Sequence, residues 1–405
     1  MNTFETLGIE MPFIEKLKER SIVKPTAIQD IVIPRLFAGK DTVFRSATGT
    51  GKTFAYLLPV LQQIAKTRGQ GLAALICAPT LELCSQIKAE VDFLTDLPTS
   101  LLIGSVQLDK QIENLKKERP VIAVGNPGRL LVLAKMGKLK LQNLHFLILD
   151  EADRLTANEL FDDTKEFLSR INRGQGRNVG NSGIDNEEPP RTGLCVAACS
   201  ATVGGKTRAL LGPLFENAEI AESDDHEILR ERIEHWAFFS EKRRRVQTLR
   251  SLLAALRGKK SKFRALVFTS RGDDAGRILS QLQYHHMAAT GLFSKAGGKP
   301  LASGDRKAAL DAFRSGKADV LVSTDLAARG LDIPNLGCVI ALDVPEDKEV
   351  YIHRAGRTAR AGKRGIMATI GDETQMRLLA SLEKKLKIRV QPKELYMGRV
   401  CVPEI

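Results

Sequence analysis

The chain has 405 residues, 43% of them hydrophobic and 27% charged, which supplies packed cores and excludes a wholly disordered polymer. At roughly 100–200 residues per domain, two or three domains are expected. No apolar run approaches the roughly 18 residues of a membrane span, and six scattered cysteines make no disulfide scaffold and point to a reducing compartment.

The first twenty residues carry Glu5, Glu10, Glu15 and Glu19, which suits neither a secretory signal nor a transit peptide, so the cytoplasm is the expected address. This segment reads as an amphipathic helix with Phe13, Ile14 and Leu17 inward. Short β-rich runs then recur at Thr42–Phe44, Ala73–Cys77, Leu101–Ile103, Val121–Val124, Phe146–Leu149 and Leu194–Ala198. Amphipathic stretches such as Leu81–Leu94 and Gln107–Lys117 lie between them. Such alternation predicts crossover units on a parallel sheet. Residues 172–193, rich in Gly, Asn and Pro, read as a long loop. Cys195 and Cys199 have metal-like spacing but no second pair, and read as strand thiols.

Residues 222–232 are acidic and lack apolar periodicity, which predicts a linker. The alternation restarts at Ala265–Phe268, Val320–Ser323, Cys338–Leu342 and Ile366–Ile370, so residues 1–221 and 233–405 are expected to form two α/β domains in tandem. Formal charge is uneven. Residues 1–221 carry +2 and residues 222–405 carry +11, which points to a polyanion, most simply nucleic acid, on the C-terminal half.

After the strand at Thr42–Phe44 comes Ser46-Ala47-Thr48-Gly49-Thr50-Gly51-Lys52-Thr53 and then a helix pattern. Strand, glycine-rich loop, Gly-Lys-Thr and helix form a phosphate cradle. Gly49 and Gly51 let backbone N–H groups converge on phosphate oxygens, and the helix start adds partial positive charge. Lys52 reaches the β- and γ-phosphates, and the Thr53 hydroxyl ligates Mg²⁺. The apolar run Leu144–Leu149 ends in Asp150-Glu151-Ala152-Asp153. Carboxylates at the carboxyl end of a parallel strand face the ligand crevice, where Asp150 can hold Mg²⁺ and Glu151 can activate water.

Asp150-Glu151-Ala152-Asp153 spells the motif that names the DEAD-box RNA helicases, and the chain resembles that family from Phe4 to about Gly365. Ser200-Ala201-Thr202 resembles the motif that couples hydrolysis to strand separation. The runs Thr324–Asp332 and His353–Arg360 resemble the two large motifs of the second domain. Pro25-Thr26-Ala27-Ile28-Gln29, with Phe4 upstream, resembles the family's adenine-reading segment.

The resemblance implies two tandem RecA-like parallel-sheet domains joined by a short linker and closing on ATP and RNA. It implies that Phe4 stacks on adenine and the Gln29 amide pairs with the adenine edge, with Thr48, Gly49, Thr50, Gly51, Lys52, Thr53, Gly330 and Asp332 around the rest of the nucleotide. Arg357 and Arg360 become arginine fingers, on one face if their segment is helical. Ser200, Thr202 and His353 couple hydrolysis to RNA. Pro79, Thr80, Gly104, Pro127, Gly128, Arg129, Arg271, Arg306 and Thr324 contact the RNA backbone, largely without sequence readout.

Departures cluster on the RNA side. Leu81 stands where the family has arginine, Ser105 follows Gly104, Asn126 precedes Pro127, Arg271 replaces a threonine, Ser303 a glutamine and Ala359 a glycine. The expected activity is therefore RNA-stimulated, Mg²⁺-dependent ATP hydrolysis by a monomer that unwinds or remodels RNA. An ATP-dependent RNA clamp is the rival, and a DNA helicase a weaker third. Because the chain ends soon after the second core, no auxiliary RNA-binding domain is expected.

Overall fold

The computed structural model describes residues 2–45, 50–67, 71–156, 158–171, 193–200, 219–222, 226–258, 263–293, 295–296, 299–300, 303–328, 336–359 and 363–403. The chain divides into two compact units, with the boundary between Asp224 and Asp225.

The first unit opens with helices α1 (Met11–Glu19) and α2 (Ala27–Phe37). It continues through β1 (Thr42–Arg45), α3 (Lys52–Thr67), β2 (Ala74–Cys77), α4 (Leu81–Leu94), β3 (Thr99–Leu102), α5 (Leu108–Glu118) and β4 (Ile122–Gly125). Then follow α6 (Pro127–Lys135), β5 (Phe146–Leu149), α7 (Ala152–Leu155), α8 (Asn158–Ser169), β6 (Cys195–Ser200) and β7 (Glu219–Glu222). The seven strands lie in the order β3-β4-β2-β5-β6-β1-β7, every pair parallel. β2, β4, β5 and β6 are buried along their whole length, as strands covered on both faces by crossover helices must be. One apolar layer holds Val32, Tyr56, Leu61, Ile76 and Ile148. The opposite layer holds Leu75, Leu130, Leu147, Phe167 and Val196.

The second unit runs through α9 (His226–Glu231), β8 (Ile233–Phe239), a 3₁₀ turn (Lys242–Arg244), α10 (Arg245–Arg257), β9 (Ala265–Phe268), α11 (Gly272–Tyr284) and β10 (Ala289–Leu292). A minimal ladder, β11 (Lys295–Ala296) with β12 (Lys299–Pro300), precedes α12 (Ser303–Arg314), β13 (Val320–Ser323), α13 (Asp325–Ala328) and β14 (Cys338–Ala341). The unit ends with α14 (Lys348–Ala355), β15 (Gly365–Gly371), α15 (Glu373–Leu386), β16 (Val390–Pro392) and a hairpin, β17 (Glu394–Tyr396) and β18 (Arg399–Cys401). Its main sheet has the order β10-β13-β9-β14-β15-β8-β16, again all parallel. Both sheets are therefore the doubly wound α/β type, and the carboxyl ends of the strands in each seven-stranded sheet share one edge. Ligands of such sheets bind at that edge.

The acidic segment 222–232 is more ordered than expected. Glu222 closes β7, and residues 226–231 form α9, whose Leu229 packs in the core of the second unit. One buried leucine per helical turn leaves too short a periodicity to detect in the sequence. The loop expected over 172–193 lies outside the described residues except for Gly193. Cys77, Cys84, Cys195, Cys199 and Cys338 are buried and Cys401 is half-buried, and none of the six is in a disulfide. Among the described residues no helix is long and apolar enough to cross a membrane.

Candidate active site

Thr48 and Gly49, with Ser46 and Ala47, lie outside the described residues, which take up the loop again at Thr50. Gly51 takes φ +86°, a left-handed conformation that glycine adopts freely, and α3 starts at Lys52. The N–H groups of the α3 first turn point out of the helix start, ready for an anion. Gln29, only 1% exposed, sits in the first turn of α2. Its Oε1 accepts from Thr26 N at 2.9 Å, half of a capping box, and its Nε2 donates to the Gly51 carbonyl at 3.0 Å. A Cβ on Gly51 would fall 2.5 Å from Gln29 Nε2, so any other residue would have to displace that amide as well as adopt the positive φ. Gln29 thus ties α2 to the phosphate loop. Each end of its amide retains one further hydrogen-bonding site.

Phe4 requires a correction. Its ring is 2% exposed and belongs to the core that contains Phe13, Leu17 and Ile33. An adenine platform needs an open ring face, so in this conformation Phe4 is a packing residue. An apolar aromatic near a chain end gains more from burial than from exposure.

Asp150 leaves β5 into a buried pocket of donors. Tyr56 Oη, from the second turn of α3, donates to Asp150 Oδ2 at 2.9 Å. The Cys199 thiol, from the end of β6, donates to Oδ1, which also accepts from Glu151 N at 2.8 Å. Thr53 is hydrogen-bonded to the same Tyr56 phenol. Burial raises the Asp150 pKa above the usual carboxylate range, while the Cys199 and Tyr56 hydrogen bonds and the Lys52 charge pull the other way. The field of Lys52 is therefore felt at Asp150, and it is felt also at Asp153, whose pKa burial likewise raises. Burial raises the Tyr56 and Cys199 pKa values far above their ordinary ones, so both groups stay protonated donors.

Glu151 has φ +49°, uncommon for a residue with a Cβ and a form of backbone strain associated with functional positions. Its Oε2 is buried and accepts no hydrogen bond, with Arg154 Nη1 3.6 Å away. An acceptor left open in this way is suited to a water. Asp153 N donates to Ser200 Oγ at 3.2 Å, which joins the acidic tetrad to the end of β6. Thr202 lies outside the described residues.

The expected RNA residues of this unit share the carboxyl edge of its sheet. Pro79 is buried, and Thr80 caps α4 by accepting from Leu83 N at 3.2 Å. Leu81, the first residue of α4, is 36% exposed. Arg129 donates to the Gly104 carbonyl at 3.2 Å and to Gln111 Oε1 at 2.9 Å, and so binds α6 to the loop after β3. Pro127 begins α6, and a Cβ on Gly128 would lie 2.9 Å from Asp163 Oδ2. Asn126 Oδ1 is buried without a hydrogen bond.

In the second unit, Gly330, Asp332 and Arg360 lie outside the described residues. The helix expected to carry both fingers ends at Ala355. Gly356 terminates α14, and Arg357 follows it in a turn, 5% exposed. Ala359, where the family has glycine, holds φ +57°, a left-handed conformation that costs a Cβ-bearing residue about 1–2 kcal/mol. Arg306 Nη2 donates to the Ala327 carbonyl at 3.1 Å, Thr324 is buried at the end of β13, His353 is half-buried on α14, and Arg271 is exposed.

Three further residues of consequence are given no role by the sequence pattern, although one of them, Arg354, lies inside the run His353–Arg360. Arg354 is 1% exposed, grips Asp325 with two hydrogen bonds of 2.7 Å, and reaches both the Asp343 carboxylate at 2.9 Å and the Asp343 carbonyl at 2.7 Å. It joins α14 to the ends of β13 and β14. Tyr56 and Cys199 look like ordinary core residues until the fold brings them to Asp150. Only the apolar neighbours of Tyr56, with a polar tip needing a partner, could have flagged it.

The chain matches the DEAD/DEAH box helicase model over residues 26–211 and the helicase conserved C-terminal domain model over residues 244–362. It is 30% identical over 394 residues to the DEAD-box ATP-dependent RNA helicase CshC of Bacillus cereus, covering 96% of this chain and 92% of that one. It is 33% identical over 378 residues to the probable ATP-dependent RNA helicase YfmL of Bacillus subtilis, covering 93% and 92%. Its fold is that of Mss116p bound to single-stranded RNA and AMP-PNP, with a TM-score of 0.80, 24% identity, and coverage of 97% of this chain and 80% of that one. The S. cerevisiae Dbp5 bound to RNA and ADP BeF3 gives a TM-score of 0.79 at 23% identity, covering 97% and 95%. With both family models matched in order and the sheets of both units RecA-like, the chain belongs to the DEAD-box ATP-dependent RNA helicases.

Proposed function

We propose that the protein is an RNA-stimulated ATPase that unwinds or remodels short RNA duplexes. The observation that carries this reading is the meeting of Lys52, Asp150, Asp153 and Ser200 at the carboxyl edge of the first sheet, next to a phosphate loop held by Gln29. Lys52 supplies the cation for the β- and γ-phosphates. Glu151, strained and with an open acceptor, positions or deprotonates the attacking water. Asp153 and Ser200 pass the state of the nucleotide to the end of β6. Arg357 and Arg360 complete the charge stabilisation from the second unit, which makes hydrolysis conditional on closure by RNA.

The donor set suits Mg²⁺. Asp150 and Thr53 offer hard oxygens, and among the described residues no cluster of three His, Cys, Asp or Glu could hold a metal unaided. Mg²⁺ is commonly held by one or two side chains together with substrate phosphates and water. Six cysteines, none in a disulfide, fit a reducing compartment such as the cytoplasm.

The test measures phosphate release and strand displacement on the same RNA duplex. RNA-stimulated turnover with displacement is expected. Turnover with no displacement under any condition would favour the RNA clamp, and absence of RNA stimulation would overturn the reading.

A further inference from the structure

The carboxyl edge of the second sheet carries more free cation than the family motifs account for. Arg271 follows β9, Asp343 follows β14, Asp372 follows β15, and Ser240 to Arg244 follow β8. These loops are physically linked. Ser270 N donates to Asp343 Oδ2 at 2.6 Å. Arg245 donates to the Leu342 carbonyl at 2.8 Å and to Asp372 Oδ2 at 3.0 Å, and Ser240 N donates to the Gly371 carbonyl at 2.8 Å.

Arg245 is therefore the anchor that brings the basic run onto this edge, and Glu241 neutralises Arg243 at 2.8 Å. Lys242, Arg244 and Arg271 are exposed, and among the described residues their side chains have no partner. Phe239, the last residue of β8, is 67% exposed beside them. β8 lies three strands from β9 in the sheet order, about 14 Å at the usual strand spacing. Free cations on both sides of that distance and an open aromatic ring are the elements of a single-strand track. The cations take phosphates and the ring takes a base face.

We propose that Phe239, Lys242 and Arg244 extend the RNA-binding face of the second unit beyond Arg271, so that one RNA strand runs along the sheet edge from the β9 loop to the end of β8. This rests on the RNA-binding reading above. Lys242 and Arg244 each neutralise a phosphate, and Phe239 stacks on a base without selecting its identity. The departures from the family pattern at Leu81 and Asn126 in the first unit are then offset on the second.

The test uses the full chain, ATP and a fluorescein-labelled single-stranded oligouridylate, titrated at several salt concentrations. For Lys242→Gln with Arg244→Gln, two lost phosphate contacts should weaken binding about tenfold and flatten the slope of log K against log salt by about 1.4. RNA-free ATP binding and the melting temperature should be unchanged, since neither side chain makes a hydrogen bond or ion pair among the described residues. Glu241→Gln should act in the opposite direction, because it removes a negative charge and releases Arg243. If the parent protein binds the oligouridylate and the double variant matches it in affinity and slope, the track is wrong and the patch serves another partner, such as an acidic protein. If the parent itself fails to bind, the RNA reading falls first.

Discussion

Gln29 Nε2 donates to the carbonyl of Gly51 at 3.0 Å, so a residue on α2 holds the last turn of the phosphate loop. On the proposed function the same amide reads adenine, and one side chain would then connect base recognition to phosphate binding. Gln29→Ala should weaken ATP binding at least tenfold, erode the preference for ATP over GTP, and lower stability by about 1 kcal/mol through loss of the capping box. Titration with a fluorescent ATP analogue, with GTP competition and a thermal melt, checks all three. Unchanged discrimination would remove Gln29 from the base site.

Lys52 and Glu151 should separate binding from chemistry. Lys52→Ala removes the side-chain cation of the phosphate loop, and turnover should fall by more than a hundredfold. Glu151→Gln keeps the shape but not the basicity, so ATP and RNA should still bind while hydrolysis stops and the complex with RNA persists. Phosphate release beside RNA retention on a filter reads both. Loss of ATP binding in Glu151→Gln would make Glu151 structural, a reading its strained backbone also permits.

Asp150 carries a pH signature. Its native pKa is raised by burial, so the native state binds more protons than the unfolded chain between the unfolded carboxylate value of 3.8 and the raised one. Stability from this group therefore declines as pH rises through that window, and at neutral pH the buried charge is destabilising. Asp150→Asn should raise the melting temperature of the nucleotide-free protein at pH 7, gain progressively less as pH falls through that window, and abolish Mg²⁺-dependent hydrolysis. A variant melting below the parent at pH 7 would mean that the Tyr56 and Cys199 hydrogen bonds outweigh burial.

Arg354 is a buried cation whose charge is balanced by Asp325 and Asp343. Arg354→Gln leaves both carboxylates short of their partner and should destabilise the second unit by about 3–5 kcal/mol. Arg354→Lys keeps the charge but not the planar fork, and should recover only part of that loss. Urea unfolding of the three proteins checks the order.

Leu81 tests the RNA path on the first unit. Being exposed at the start of α4, it can be replaced by arginine without disturbing a core. Leu81→Arg should leave the melting temperature unchanged, tighten RNA binding, and steepen the salt slope by about 0.7, for all RNA sequences alike. An unchanged slope would move the RNA away from this loop.

Much of the architecture is legible in the amino-acid sequence itself. Alternating apolar runs specify βα units because a strand covered on both faces must be apolar throughout, and Phe146–Leu149, Ala265–Phe268 and Val320–Ser323 lie where that pattern puts them. Gly51, Lys52 and the acidic tetrad were legible because phosphate chemistry restricts residue type at fixed local spacing. Contacts between distant segments were not. Tyr56 and Cys199 meet Asp150 across 94 and 49 residues, and Arg354 meets Asp325 across 29. No local period encodes those distances, since strand order in the sheet decides which chain ends become neighbours. Burial likewise decided Phe4, which as a sequence letter fits a stacking platform or a core equally well, and which the packing of α1 and α2 placed in the core.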